Sequence, residues 1–360
     1  MKSDGVGRLG AASCVALVAV CRMASASEPL PSAETPRAAG TDAASPAPYT
    51  NDARPLRQSR DDAWWTGPIL AAGASTLPPG HALIEPYVFD LMSRGRYDEN
   101  GTRHPGPHRN SYGSLTYLLY GVVDGFTAGV IPRFTYNDVS GGQDSSHIGM
   151  GDFTLQGTFR LTEFREGSRT PTMSIVLQHT LPTGKYDRLG PRTSDGVGNG
   201  AHTTSLGLNS QYFLWMPNGR ILRTRLNFSY AISDTVTVDD ESVYGTPPGF
   251  HGHARPGRVF IVDSAWEYSL TRHWVLALDI AYEHDGHTTL EGVVPPPAAG
   301  GGTPARIQQD FGSGEVFTLA PAVEYNFNSR VGLIVGSLFT VAGRNASATV
   351  APVAALNMVF

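Results

Sequence analysis

From His81 to the end, the chain repeats one pattern: short stretches in which apolar and polar residues alternate, separated by connections that are alternately short and long. In a strand, successive side chains point to opposite faces. Phe153, Leu155, Phe159 and Leu161 thus stand against Asp152, Thr154, Gln156, Thr158 and Arg160. Leu222, Leu226, Phe228 and Tyr230 stand against Arg223, Arg225, Asn227 and Ser229, and Trp274, Leu276, Leu278, Ile280 and Tyr282 against Ala277, Asp279, Ala281 and Glu283. The short connections lie near 124, 165, 217, 271 and 328; the long ones cover about 91–111, 137–148, 182–201, 233–257 and 284–314. A soluble sandwich has no reason to alternate loop lengths, whereas a membrane barrel puts short turns on its periplasmic side and long loops outside. The pattern predicts an all-β chain: a transmembrane antiparallel β-barrel of about twelve strands with both termini in the periplasm.

The expected strands are 82–91, 112–123, 126–136, 149–161, 172–181, 202–214, 221–232, 258–270, 273–283, 315–327, 330–340 and 347–360. Asp124-Gly125 between two of them is a strong hairpin signal. The connection at 342–346 is short where a long one is expected. Pro86, Pro132, Pro321 and Pro352 fall inside strands, where each removes a ladder hydrogen bond, so bulges or shifted boundaries are expected there.

Composition removes the competitors. Charged residues make up 16% of the chain, below the globular average of about 25%. Beyond the N-terminus no apolar run approaches the roughly 18 residues a spanning helix needs. The net charge of −5 carries no basic bias, which argues against a nucleic-acid partner.

Residues 1–26 have the form of a signal peptide: Lys2 and Arg8, a short apolar stretch from Leu9 to Cys21, then Ala24-Ser25-Ala26. A lipoprotein signal ending at Cys21 is the weaker alternative, because Val20 fits poorly before a lipidated cysteine. Both cysteines, Cys14 and Cys21, lie in this segment, so the exported chain would hold none for a disulfide, metal or nucleophile. Residues 27–60, rich in Ala, Pro, Ser and Thr, read as a disordered periplasmic linker. The barrel domain is expected over 61–360, led by a strap at 61–80. There Trp64-Trp65 suits either an interfacial anchor or packing under the barrel mouth.

The last strand ends on Phe360. A terminal aromatic on such a strand resembles the C-terminal signature of bacterial outer-membrane barrels, which makes Phe360 the expected assembly signal and the barrel-assembly machinery and outer-membrane lipid the expected partners. Further motifs narrow the resemblance. Tyr120-Gly121-Val122-Val123-Asp124-Gly125-Phe126-Thr127-Ala128-Gly129-Val130 resembles a "YGxTDxxxxGV" hairpin. Gly149-Met150-Gly151-Asp152-Phe153 resembles a "GxGD" strand start, and Leu181-Pro182-Thr183-Gly184 an "LPTG" loop followed by the Gly-rich 196–200. In this order the motifs are similar to the outer-membrane family labelled "MetA-pathway of phenol degradation", over about residues 64–360. The resemblance implies uptake of aromatic or other small hydrophobic compounds and supplies no substrate-binding residue.

The candidate lumen-facing charges are Arg133, Asp152, Arg160, Arg223, Arg225, Asp263, Glu267, Asp279, Glu283 and Glu324. They would make either a charge-graded pore or an interior ion-pair network, with Arg223 or Arg225 against Asp263 or Glu267. The network is favoured, because polar groups in a narrow lumen must pair. His251, His253, His284 and His287 in outer loops could hold a metal, but loop histidines have no fixed geometry and no metal or cofactor is expected. Pro182-Thr183-Gly184-Lys185 lacks the rest of a phosphate loop.

The expected function is passive passage of a small, hydrophobic or aromatic permeant across the bacterial outer membrane, without enzymatic activity. A structural or adhesive barrel is the alternative. An outer-membrane hydrolase is a weaker one, since its candidate pairs, His202 with Ser205 and His179 with Ser174, have spacings that put them on opposite faces.

Overall fold

The computed structural model describes residues 57–296 and 303–360. The signal peptide over 1–26 and the linker up to residue 56 lie outside the described residues.

Twelve strands form the wall: β1 (Ala82–Tyr97), β2 (Arg109–Val123), β3 (Phe126–Ile131 and Arg133–Val139), β4 (Gly149–Met150 and Phe153–Thr162), β5 (Thr172–Leu181), β6 (Thr203–Trp215), β7 (Ile221–Ser233), β8 (Val259–Ser269), β9 (Trp274–Asp285), β10 (Gly314–Asn326), β11 (Val331–Arg344) and β12 (Ala346–Val359). Each is antiparallel to its sequence neighbours, and β1 also pairs with β12, so the sheet closes. The seam ends where the Ala82 N–H donates to the Phe360 carbonyl at 3.1 Å and the Phe360 N–H donates back at 2.9 Å. Closure leaves no unpaired wall edge, the condition for a sheet surrounded by lipid. No helix among the described residues is long and apolar enough to cross a membrane; the chain crosses with strands.

Facing follows the period of two. Phe159, Leu177, Leu226, Leu276 and Val335 are exposed on the outside of the wall, while Thr158, Arg225, Ala277 and Ile334 are buried within. Tyr282 and Phe317, and Trp274, Tyr325 and Phe327, form two aromatic groups at opposite ends of β9 and β10, as membrane interfaces favour.

The four prolines do not make the expected bulges. The β1–β12 register is the same on both sides of Pro86, at Ile84↔Met358 and Tyr87↔Ala355, and around Pro352, at Phe89↔Val353 and Met92↔Val350. Pro321 leaves a gap of the same kind between Leu319↔Phe339 and Ala322↔Gly336. Pro132 splits β3 in two, yet Leu118↔Val130 and Leu115↔Arg133 share one register. A missing N–H interrupts one ladder only; Pro86 stays opposite Thr116, Pro321 opposite Leu278 and Pro352 opposite Ser337. The actual register shifts lie elsewhere, for example at Ser93/Arg96 and Phe317/Thr318.

The loops 233–257 and 284–314 are also more than loops. Val236–Asp239, His251–Arg255, Thr289–Val294 and Ala305–Asp310 pair in that order as a separate four-stranded sheet beyond the long-loop end. It packs on Val236, Val238, Tyr244, Phe250, Ala254 and Leu290. Its strands have four to six residues and are set among Pro and Gly, so their alternation is too brief to stand out from turn composition. The short 342–346 connection tightens to Asn345, whose positive φ of 48° makes a hairpin turn of the kind Asn tolerates.

Candidate functional site

The lumen is occupied at its short-turn end by the chain itself. The strap starts on the rim, where Gln58 is tied to the β6–β7 turn: its N–H donates to Gly219 O at 2.9 Å, and its carbonyl accepts from Trp215 Nε1 at 2.9 Å. The linker expected to run disordered to about residue 60 is therefore docked from Gln58, whose backbone makes these two bonds and whose side-chain Oε1 accepts from the Ile221 N–H at 3.1 Å. The strap then climbs inside the barrel to Gly73 and descends along β2 and β3 into β1. Trp65 is buried against Phe213, with the Arg223 guanidinium 4.6 Å from its ring centroid. Trp64 meets His273 edge-on. Trp65 thus packs under the barrel mouth, while the half-buried Trp64 lies against His273 and Arg272 at the β8–β9 turn.

A strap has no strand partner, so wall side chains must satisfy its backbone. The Thr66 N–H donates to Glu324 Oε2 at 2.7 Å. The Ile69 and Ala71 N–H groups donate to the two oxygens of Asp279, each at 2.9 Å. Arg225 donates to Ala71 O, Asn227 Nδ2 to Ala72 O and Asn209 Nδ2 to Gly73 O, at 2.7, 2.9 and 3.2 Å. Leu77 N–H donates to Thr127 Oγ1 at 2.8 Å. Between these ties, Ile69, Leu70 and Leu77 pack on Leu83, Tyr87 and Tyr117. Gly121 lets the wall approach this closely, since a Cβ there would overlap the Pro78 carbonyl.

The interior charges sort into groups. Glu267 is buried between two arginines: Arg223 Nε donates to it at 2.7 Å and Arg225 Nε at 3.0 Å. Asp279 and Glu324 hold the strap. Arg160 sits at the short-turn rim, bound to Asp124 at 2.8 Å and near Glu163 at 3.5 Å. Arg133 is buried towards the long-loop end beside Gly151. Asp152 organises the outer loops: Oδ1 accepts from Gly184 N–H at 3.0 Å and Oδ2 from Asn199 N–H at 2.8 Å, while Thr183 Oγ1 donates to Gly151 O at 2.9 Å. The "GxGD", "LPTG" and Gly-rich motifs meet here, and a Cβ on Gly198 would lie 2.5 Å from Gly184 O.

Asp263 and Glu283 belong to a cavity of about 130 Å³ between the strap and the outer ends of the strands. Ala72 and Gly73 line its floor, Gln178, Ser205 and Asn209 one wall, and Leu91, Val316 and Leu338 the other. Sequence reading assigned the acids to the lumen but missed Asn209, Asn227 and Thr127 as strap holders; single neutral polar residues on an inward face carry no signal of what they bind.

The outer histidines pair singly with carboxylates: His251 with Asp239 at 2.9 Å, His287 with Asp310 at 2.9 Å and His284 with Glu315 at 3.8 Å. Among the described residues no three His, Cys, Asp or Glu side chains gather as a metal site. His179 stacks on His202 and meets Thr204 Oγ1 at 3.0 Å, while Ser174 and Ser205 are buried on the inner face. Neither pair suggested for a hydrolase is assembled.

The model of the family described as "Putative MetA-pathway of phenol degradation" matches residues 92–351. The chain belongs to this family. Among solved structures it is similar to an outer-membrane channel from Pseudomonas putida F1, at 16% identity and a TM-score of 0.59, over 80% of this chain and 98% of that one. A Bordetella autotransporter β-domain aligns at 10% identity and a TM-score of 0.42, over 78% and 100% of the two chains. The toluene transporter TodX of Pseudomonas putida aligns at 13% and 0.32, over 78% and 90%. No curated protein matches the sequence. The family and the first of these structures agree with the fold described above: a twelve-stranded outer-membrane barrel.

Proposed function

We propose that this protein passes small hydrophobic or aromatic molecules passively across the bacterial outer membrane, to which its N-terminal segment directs it for export. The carrying observation is the cavity above the strap. Its volume of about 130 Å³ is close to the roughly 150 Å³ of an engineered apolar cavity that holds benzene. Most of its lining surface is apolar, which favours a desolvated ring over a hydrated solute. Membership in a family described by phenol degradation supports the same class of permeant.

The strap sets the terms of passage. It fills the lumen below the cavity, so a permeant reaches the periplasm only when the strap yields or the wall opens. The test is entry of labelled toluene into liposomes holding the refolded protein, alongside single-channel conductance. Protein-dependent entry of toluene is the expected result. Entry no faster than into empty liposomes would overturn the proposal in favour of a structural barrel.

A further inference from the structure

We infer that the outward face of the outer sheet, just above the lipid-facing wall, is a docking site for a phosphorylated glycolipid of the outer leaflet, such as lipid A. Wall and outer sheet keep one register here. Tyr230↔Phe260 in β7 and β8 is continued by Val236↔Ala254 and Thr237↔His253 in the outer strands. This sets Thr235 beside Arg255, and Arg255 is in turn opposite Thr289. Val236, Ala254 and Leu290 turn to the sheet's own core, which also holds Ala201 and, packed against it, Tyr186. Both belong to the 182–201 segment, fastened over the mouth to Asp152 and the inward-facing Asn137.

By the period of two, Thr235, His253, Arg255, Thr289 and Glu291 turn the other way, out from the mouth. They line a depression of about 170 Å³. The chain bends at its lower side, where Gly257 passes so close to Gly286 that a Cβ on it would overlap the Gly286 carbonyl.

The depression continues the surface that meets lipid. Phe228, Tyr230 and Ile232 of β7 are exposed directly below it. Tyr282, of the outer aromatic group, is the register partner of Val262, and Arg258 lies two outward positions further along β8. Arg258 reaches down to Tyr230 Oη at 3.5 Å. An acyl chain lying on β7 thus brings its headgroup to Arg258 and Arg255.

Charge and hydroxyl chemistry select the headgroup. The neighbouring acids are engaged: Asp239 with Arg188 and His251, Asp310 with His287, Glu315 with Arg344. Arg255 and Arg258 have no ion pair among the described residues. Two such guanidiniums at headgroup height favour a phosphate, which arginine can bind with two parallel hydrogen bonds. Thr235, Thr289, His253 and Glu291 border the same space. An acidic phospholipid would satisfy the arginines but set its charge against Glu291. A phosphorylated amino sugar offers phosphate to the arginines and hydroxyls to Glu291 and the threonines.

Binding of fluorescent lipid A to the purified full chain in detergent is compared with binding of its dephosphorylated form and of phosphatidylglycerol. Lipid A should bind at least about tenfold tighter than either, the scale of one to two surface arginines facing an anionic headgroup. Combining R255Q with R258Q should weaken lipid A about tenfold, while R330Q, at an exposed site on the short-turn end, should stay within about twofold. Equal binding of lipid A and its dephosphorylated form would overturn the inference. Phosphatidylglycerol binding as tightly as lipid A would overturn it in favour of a general anionic surface. Both are read on the unaltered protein, whether or not the double variant folds. Unchanged affinity in a folded double variant would overturn it too. None of these outcomes depends on passage of a permeant.

Discussion

Arg223 and Glu267 face each other as register partners across β7 and β8, guanidinium against carboxylate, both almost wholly buried. Arg225, one inward position further along β7, shares the same carboxylate. Two buried guanidiniums thus share one carboxylate inside the barrel. E267A removes the carboxylate that both arginines share, and breaking a buried pair in this way costs about 3–5 kcal/mol. Urea unfolding of the refolded barrel should show a loss of that order, and R223M a smaller one, because Arg225 still compensates Glu267. Equal stability of E267A and the unaltered protein would contradict the arrangement.

Asp279 supplies the centre of the strap's attachment by accepting from Ile69 and Ala71. Deleting residues 57–80 should turn a nearly silent barrel into one with steady conductance in a planar bilayer. D279A should give intermittent openings, since Glu324, Asn209 and Thr127 still hold the strap. A strap deletion as silent as the intact protein would mean that something else closes the lumen.

Leu226 and Leu278 lie on the outer surface, 42% and 37% exposed. An arginine there at mid-membrane depth costs about 2–4 kcal/mol. L226R and L278R should lower the yield of heat-modifiable, folded barrel in lipid, whereas T158R, which points inward, should fold with the cavity narrowed. Equal yields from all three would contradict the facing.

G198A should unseat the outer loops without unfolding the barrel. Its methyl would press on Gly184 O and on Asp152 Oδ1, 2.5 and 2.6 Å away. Limited proteolysis should then cut within 184–199, where the unaltered protein resists, while heat-modifiability is retained.

The outer sheet carries its own pH dependence. The hydrogen bond from His251, then that from Arg188, holds the Asp239 carboxyl below its ordinary value of 3.8. A lowered carboxyl contributes stability that is full above the unfolded value and is lost as pH falls through the folded one. Hydrogen exchange at Val236–Asp239 and His251–Arg255 should therefore stay slow down to about pH 4 and quicken below it, with the barrel strands unchanged. Quickening at a higher pH would assign the contact to another group.

The wall was legible because a sheet wetted by lipid outside and lined by polar groups inside repeats its period in every strand. One residue of slip in β7 would turn Arg223 and Arg225 to lipid. Facing and strand adjacency put Arg223 or Arg225 against Asp263 or Glu267 for the same reason, but did not say which; both arginines meet Glu267, and Asp263 stays out of the pairing. The strap's path was not: 61–80 is Gly- and Pro-rich without periodicity, and its backbone is held by residues as distant in sequence as Glu324. The prolines misled because a sequence shows a lost N–H but not which of two ladders loses it. The outer sheet was hidden by strands too short for their alternation to be told from loop composition.

The two ends of the strap are fastened very differently. At Ala82 it continues into β1, which is zipped on one side to β12 and on the other to β2; traction from that side would have to tear the seam. At Gln58 it is held by a few bonds on the β6–β7 turn. A pull on the chain preceding Arg57 would load those bonds first, then Thr66, then the Asp279 pair, one after another and never all together. The strap is built to peel, resisting displacement along its whole length while yielding to a small force applied at one end.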